Sequence, residues 1–305
     1  MTVPSPYHEL LDRIPVRAES LSLDGGLTRY WVYGDADART TIVMVHGFRG
    51  DHHGLEPVVA QLGSDYRIIS PDLPGFGEST PLPGRTHDID TYARWLDDFV
   101  QALGLNRART IVLGHSFGSI VVSAALAAPS GTIAGSVRSV ILVNPIAAPA
   151  LAGPRGILTK LAVFYYRLGA ALPERLGFGL LRNRAIVRVM SVTMAKTGDR
   201  GLRRWIHDQH DRYFSAFANR RVVLEAFEAS VSNDVSEYAE RITLPTQLIA
   251  ADRDDITPVA AERRLATLFP DARLHVIEGV GHLIHYEAPA EAAGVIEGFI
   301  AEVRA

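Results

Sequence analysis

The 305-residue chain contains no cysteine. Disulfides, thiolate metal sites and a cysteine nucleophile are therefore excluded. Lysine is almost missing too: 29 of the 31 basic residues are arginine, a bias that reflects genome composition rather than chemistry. No run of eighteen uncharged apolar residues exists, so no membrane span is expected. Residues 1–11 are polar and contain proline instead of a basic, then apolar, leader. No signal peptide is expected, and the expected location is cytoplasmic. Internal repeats and low-complexity segments are lacking. Basic residues interleaved with aromatic platforms on a strand pattern are lacking as well, which argues against nucleic-acid binding.

What is present is a globular composition, 47% apolar and 21% charged, in a chain long enough for one large α/β domain with an insertion. The net charge of −3 hides an asymmetry. Residues 151–221 carry 14 Lys and Arg against 4 Asp and Glu, a net of +10, while the remainder carries 17 against 30. That contrast marks the middle segment as a separate structural unit.

Short apolar runs alternate with helical spacings on either side of that segment. Alternating runs at 19–24 and 28–34, joined by Asp24-Gly25-Gly26, predict a hairpin. Runs at 41–45, 66–70, 109–113 and 139–143 predict strands buried on both faces. Spacings at 55–62 and 89–103 predict helices between them, the second with Asp88 as its N-cap. After about residue 150 the alternation stops, and 157–168, 175–190, 202–217 and 222–230 read as helices. It resumes with strands at 246–250 and 274–277 and helices at 258–269 and 289–303. The predicted fold is α/β: a doubly wound, mostly parallel sheet from residues 1–150 and 235–305, with a helical cap, 151–234, inserted after the sixth strand.

Gly114-His115-Ser116-Phe117-Gly118 ends one of these strands and opens a small-residue helix. A strand turning sharply into a helix crowds its turn residue, and glycine on either side relieves the crowding. G-x-S-x-G in that context is a nucleophile elbow, which exposes the serine hydroxyl above the sheet. Ligands gather at the carboxyl ends of the strands in such sheets. His46-Gly47-Phe48, Asp72, Asn144, Asp252, Asp254, Asp255 and His282 are expected there too. A serine hydroxyl needs a base, and the base needs a carboxylate to fix its tautomer. His282, in a loop flanked by Gly279 and Gly281, is the predicted base. Asp254 is the predicted acid, with Asp252 and Asp255 beside it as rivals or helix caps. Asn144 occupies the alternative acid position and carries no charge. The N–H groups of Phe48 and Phe117 are the predicted oxyanion donors. His46, Gly47, His115 and Asn144 line the same rim and are candidates for substrate contact. Asp72 is expected to brace its glycine-rich loop. His285 is expected to point into loop packing. His207 and His210 share a helical face, but nothing completes a ligand set, so no metal site is expected.

His46-Gly47-Phe48-Arg49-Gly50, Asp72-Leu73-Pro74-Gly75-Phe76-Gly77-Glu78-Ser79, Gly114-His115-Ser116-Phe117-Gly118, Asp254 before Pro258, and Gly281-His282 together resemble the α/β-hydrolase superfamily. The resemblance covers about residues 20–150 and 235–303. It implies an eight-stranded sheet, no cofactor, and hydrolysis through an acyl-serine with Asp254 as the acid. Ala251 and Ser119 stand where that family commonly carries glycine. Serine at 116 argues against dehalogenases and epoxide hydrolases, which place aspartate there. The expected substrate is an ester or thioester of an apolar acyl group, small-molecule or lipid. Carbon–carbon bond hydrolysis, acyl transfer and a non-catalytic ligand-binding role are the alternatives. Leu158, Leu161, Phe164, Tyr165 and Leu168 form an apolar stripe on the cap. The cap's arginines read as a solvated face or as a site for an anionic partner: coenzyme A, an acyl carrier protein or a membrane surface.

Overall fold

The computed structural model describes residues 3–148 and 156–303, with side chains of the first cap helix from residue 160 onward. The segment 149–155, where the cap was expected to begin, and the side chain of Leu158 lie outside the described residues.

Eight strands form one sheet: β1 (Val16–Leu23), β2 (Gly26–Tyr33), β3 (Thr41–Val45), β4 (Arg67–Pro71), β5 (Thr110–His115), β6 (Ser139–Val143), β7 (Thr246–Ala251) and β8 (Ala272–Ile277). Their order is β1-β2-β4-β3-β5-β6-β7-β8. The hairpin β1–β2 and the β2–β4 pair are antiparallel, and all other neighbours are parallel. The sheet matches the expected fold class, and the cap enters after β6.

Alternation along the central strands builds two cores. Val43, Val45, Val112, Val140, Leu142 and Leu248 face one side, with α3 (Ile89–Ala102) and α4 (Phe117–Ala127) packed on them. Ile42, Met44, Ile111, Leu113, Ile141 and Ile249 face the other, together with residues of α2 (Glu56–Leu62) and α13 (Pro289–Glu302). Residues two apart share a face of a strand, so a continuous apolar run serves both layers. Short helices α1 (His8–Leu11), α5 (Ile133–Ser136), α11 (Val259–Ala266) and α12 (Ile284–Glu287) complete the frame.

The cap comprises α6 (Gly156–Ala171), α7 (Glu174–Leu181), α8 (Arg184–Met194), α9 (Arg200–Tyr213) and α10 (Arg220–Ser232). One helix was expected over 175–190. Two form, because Asn183 leaves the helix and caps the next one, accepting from the N–H groups of Ala185 and Ile186. Tyr166, Leu181, Phe217, Val222, Val223 and Phe227 of the cap join the core on the α3–α4 side of the sheet. Several of its arginines are bound within the protein. Arg182 donates to the Phe217 carbonyl, and Arg220 reaches the carbonyls of Gly169, Ala170 and Leu172 at the end of α6. Arg167 pairs with Glu228, and Arg188 with Asp211. A cation at a helix C-terminus meets the negative end of the dipole and orphan carbonyls together.

Candidate active site

β5 delivers Ser116 on a turn with φ 53° and ψ −119°. That backbone is sparsely populated for a residue with a Cβ and costs on the order of 1–3 kcal/mol. The approach of the chain explains both flanking glycines. A Cβ on Gly114 would lie 2.5 Å from the Gly118 carbonyl oxygen, and one on Gly118 would lie 2.2 Å from that of Val45. Ser119, where glycine was noted as common, donates from its hydroxyl to the Ser116 carbonyl and accepts from the Ile146 N–H.

Ser116 Oγ lies 2.8 Å from His282 Nε2. His282 Nδ1 lies 2.7 Å from Asp254 Oδ2. The carboxylate is held by further donors: the Ile256 and Thr257 N–H groups, the Thr257 hydroxyl and the Asn144 side-chain amide. Burial pushes the Asp254 carboxyl up, but the His282 ring and these hydrogen bonds outweigh it and take the group down to about 2. Behind it, Glu262 is fully buried, and burial with the Asp254 charge pushes it to about 9. It stays protonated near neutral pH and adds no second charge. Of the rival carboxylates, Asp252 accepts from the Gly279 N–H and Asp255 pairs with Lys196 at the surface.

The remaining expected site residues divide. Gly47, His46, Phe48, His115 and Phe117 line a cavity of about 240 Å³ that contains Ser116 and His282. His46, however, has both ring nitrogens engaged by backbone: Nδ1 with the Gly47 carbonyl at 2.8 Å and Nε2 with the Leu73 N–H at 2.9 Å. It holds the loop and has no nitrogen left for a ligand. Asn144 departs from expectation. It does not line the cavity; it lies behind the acid with its side-chain N–H on Asp254. The parallel neighbours β5, β6 and β7 put it between elbow and acid, where an amide can donate to a carboxylate. Asp72 receives the His52 and Glu78 N–H groups and the His52 ring, and so braces its loop. His285 is buried edge-on to His115, with ring centroids 4.1 Å apart, and lines the cavity as well.

Sequence reasoning missed several parts. The cap closes the cavity with Met190, Met194, His210, Phe214 and Phe227; helical spacing alone does not say which face meets the sheet. His207 and His210 both contact the Ser191 hydroxyl through Nδ1, at 2.6 and 2.7 Å. Glu287 ties the His282 loop to the cap, accepting from the Gly281, Lys196 and Thr197 N–H groups. No local pattern announces that clamp. Asp51, His52 and His53 bring potential ligand atoms within 4.8 Å of one another, but His52 is paired with Asp72 and His53 with Asp51. A larger depression of about 490 Å³, lined by His8, Glu56, Trp205 and Arg212 among others, includes none of Ser116, His282 and Asp254.

This arrangement is chemically suited to proton transfer from a hydroxyl to an imidazole beside an apolar cleft. The chain is 25% identical to Lipase 1 of Psychrobacter immobilis over 288 residues, covering 92% of this chain and 83% of the lipase. It is 23% identical to monoacylglycerol lipase ABHD6 of Mus musculus over 283 residues, with 90% and 79% covered. An esterase from Exiguobacterium antarcticum superposes with a TM-score of 0.74 at 18% identity, over 95% of this chain and all of that one. At that identity the likeness speaks for the fold. Residues 42–295 match the Alpha/beta hydrolase family, and the chain belongs to that family.

Proposed function

We propose that the protein is a serine hydrolase that cleaves carboxylic esters of apolar acyl groups through an acyl-enzyme. The observation that carries this reading is the continuous contact Ser116–His282–Asp254, at 2.8 and 2.7 Å. His282 takes the hydroxyl proton as Oγ attacks the ester carbonyl carbon, and Asp254 stabilises the imidazolium. The developing oxyanion is received by the N–H groups of Phe48 and of Phe117, the first residue of α4. His282 then returns the proton to the leaving alcohol, and water repeats the cycle to release the acid.

The cavity walls favour an apolar acyl group: Phe48, Ile146, Met190, Met194, Phe214 and Phe227 line it, and among the described residues no Lys or Arg does. On a series of p-nitrophenyl esters, kcat/KM is expected to climb with acyl length, by about fourfold per methylene fully buried. It is expected to fall once the chain outgrows the cavity. Acyl-CoA thioesters run alongside are expected to be poorer substrates. Equal turnover of acetyl and longer esters would remove the acyl-pocket reading, and preferred turnover of thioesters would move the assignment to a thioesterase.

A second observation bears on where the substrate is met. Leu161, Phe164 and Leu168 are exposed at helical spacing on α6, with Lys160 exposed beside them and Arg167 exposed in its pair with Glu228. Val189 and Val192 are exposed on α8, the helix that turns Met190 and Met194 into the cavity. Among the described residues no helix is long and apolar enough to cross a membrane. We infer that the cap rests on an anionic lipid surface and collects lipid esters there. Co-sedimentation is expected with vesicles containing phosphatidylglycerol, and to weaken with salt. Equally weak binding to neutral and anionic vesicles would overturn it.

A further inference from the structure

Arg49 follows Phe48 directly and is 1% exposed. Its backbone is left-handed, with φ 60°, a strained conformation for a residue with a Cβ. Taking a guanidinium out of water costs several kcal/mol even after relaxation. Yet its hydrogen-bond partners are all neutral: the Phe214 carbonyl at 2.8 Å, the Leu181 carbonyl at 2.8 Å, the Tyr166 hydroxyl at 3.2 Å and the Ser215 hydroxyl at 3.4 Å. The rings of Phe214, Phe217 and Tyr166 lie 4.8, 5.3 and 6.0 Å from its Cζ. Every one of these partners belongs to the cap. They come from α6, the last residue of α7 and the segment after α9, so they converge only when the cap is seated. Leu181 and Phe214 end helices, where carbonyls lack partners and the dipole is negative.

The peptide being held is the one of interest. Phe48 packs among Phe76, Tyr166 and Phe227, with ring centroids 6.0, 5.7 and 5.7 Å away. Gly50 N–H donates back to the Gly47 carbonyl at 3.1 Å, closing the turn. A tight turn fixed at its base by His46 and at its tip by Arg49 has little freedom to rotate its N–H groups.

We propose that Arg49 is a positioning residue for the oxyanion hole: it locks the Phe48 peptide to the seated cap, so that cap docking and catalytic competence are a single event. The inference rests on the serine-hydrolase reading and assigns a task within it to the cap. An isolated lid that merely covers the cleft would have no need of a buried cation anchored next to the Phe48 peptide.

The test uses Arg49→Met, Arg49→Lys and Tyr166→Phe in the full chain. For Arg49→Met, kcat on a p-nitrophenyl ester is expected to fall about 100-fold, the effect of losing one oxyanion donor. KM is expected to change little. Affinity for an alkyl boronic acid, which mimics the tetrahedral intermediate, is expected to fall in parallel with kcat. Arg49→Lys keeps the charge but not the fork and is expected to recover part of the loss. Tyr166→Phe removes one acceptor and is expected to show a smaller drop of the same kind. If Arg49→Met does not fold, the other two variants carry the comparison. Wild-type kcat and boronate affinity in variants whose melting temperature has dropped would overturn the proposal, since a merely structural pin gives that result. Wild-type turnover abolished by Ser116→Ala upholds the hydrolase reading whichever way the Arg49 variants behave, so the two failures are told apart.

Discussion

Replacing Ser116 with alanine is expected to lower kcat on a p-nitrophenyl ester by roughly 10⁶-fold, the loss seen when the nucleophile is taken from an intact serine triad. The substitution removes one oxygen that lies 2.8 Å from His282 Nε2. Alanine keeps the Cβ, so the turn at φ 53° is neither relieved nor worsened, and the melting temperature should barely move. The groups left behind orient water but form no acyl-enzyme. His282→Ala is expected to cost about as much, and adding it to Ser116→Ala to cost nothing further, because the residues act as a unit. Asp254→Asn is expected to cost about 10⁴-fold, since an amide favours the wrong imidazole tautomer. The measurements are steady-state kcat, the pre-steady-state burst, and labelling by a fluorophosphonate. Full turnover or labelling in the alanine variant would take the nucleophile away from this position.

The second large effect is acid instability. His115 and His210 are buried, and burial together with a neighbouring histidine pushes each from 6.5 down to about 3. Burial lowers His46 and His285 as well. An unfolded histidine binds a proton below about pH 6.5, while His115 and His210 bind none until the pH is far lower. Their stabilising contribution is therefore complete above pH 6.5 and is lost as the pH falls toward 3. From pH 6.5 to 5.5, His115 and His210 are each expected to remove roughly 1 kcal/mol, rising to about 1.4 kcal/mol per further pH unit. Asp254 acts lower on the scale: held at about 2 against 3.8, its contribution is present above pH 4 and fades between 4 and 2. His53 works the other way; burial lowers it, but its hydrogen bond to the Asp51 carboxylate wins and raises it. It is one group against six, since burial lowers His87 and His207 too. The urea midpoint is expected to drop markedly between pH 7.5 and 5.5. A flat midpoint over that range would mean that these rings reach water. The same neutrality serves the proposed chemistry, because a proton taken up by His282 meets the Asp254 carboxylate and no charged imidazole beside it.

Much of this molecule was legible in the chain. Strand runs buried on both faces, the spacing of α3 behind Asp88, and the glycines around Ser116 are statements about a few neighbouring residues. Those neighbours enforce their own geometry: the observed side-chain cap from Asp88 to the Thr91 N–H is such a case. Asp254 stood among three carboxylates within four positions. Its distinction is that Thr257, Ile256 and Asn144 all donate to it, and the last of these comes from 110 residues away. Asn144 itself looked like a rim residue because its strand end was known and its side-chain direction was not.

The cap shows the boundary most clearly. Its helices were visible from periodicity, save for the break at Asn183. Its arginines read as a charged face because formal charge is a property of composition. Where Arg182 and Arg220 end, on carbonyls of the segment after α9 and of the end of α6, is a property of packing. The sequence by itself determined the order of strands and helices, the elbow and the kinds of residue that meet at the sheet's carboxyl edge, since each follows from sterics and periodicity over a few turns of chain. Only the tertiary structure decided which carboxylate faces His282, which nitrogens of His46 are occupied, and that Arg49 reaches into the cap. Those choices depend on partners brought together by burial across more than a hundred residues, and no local pattern carries that information.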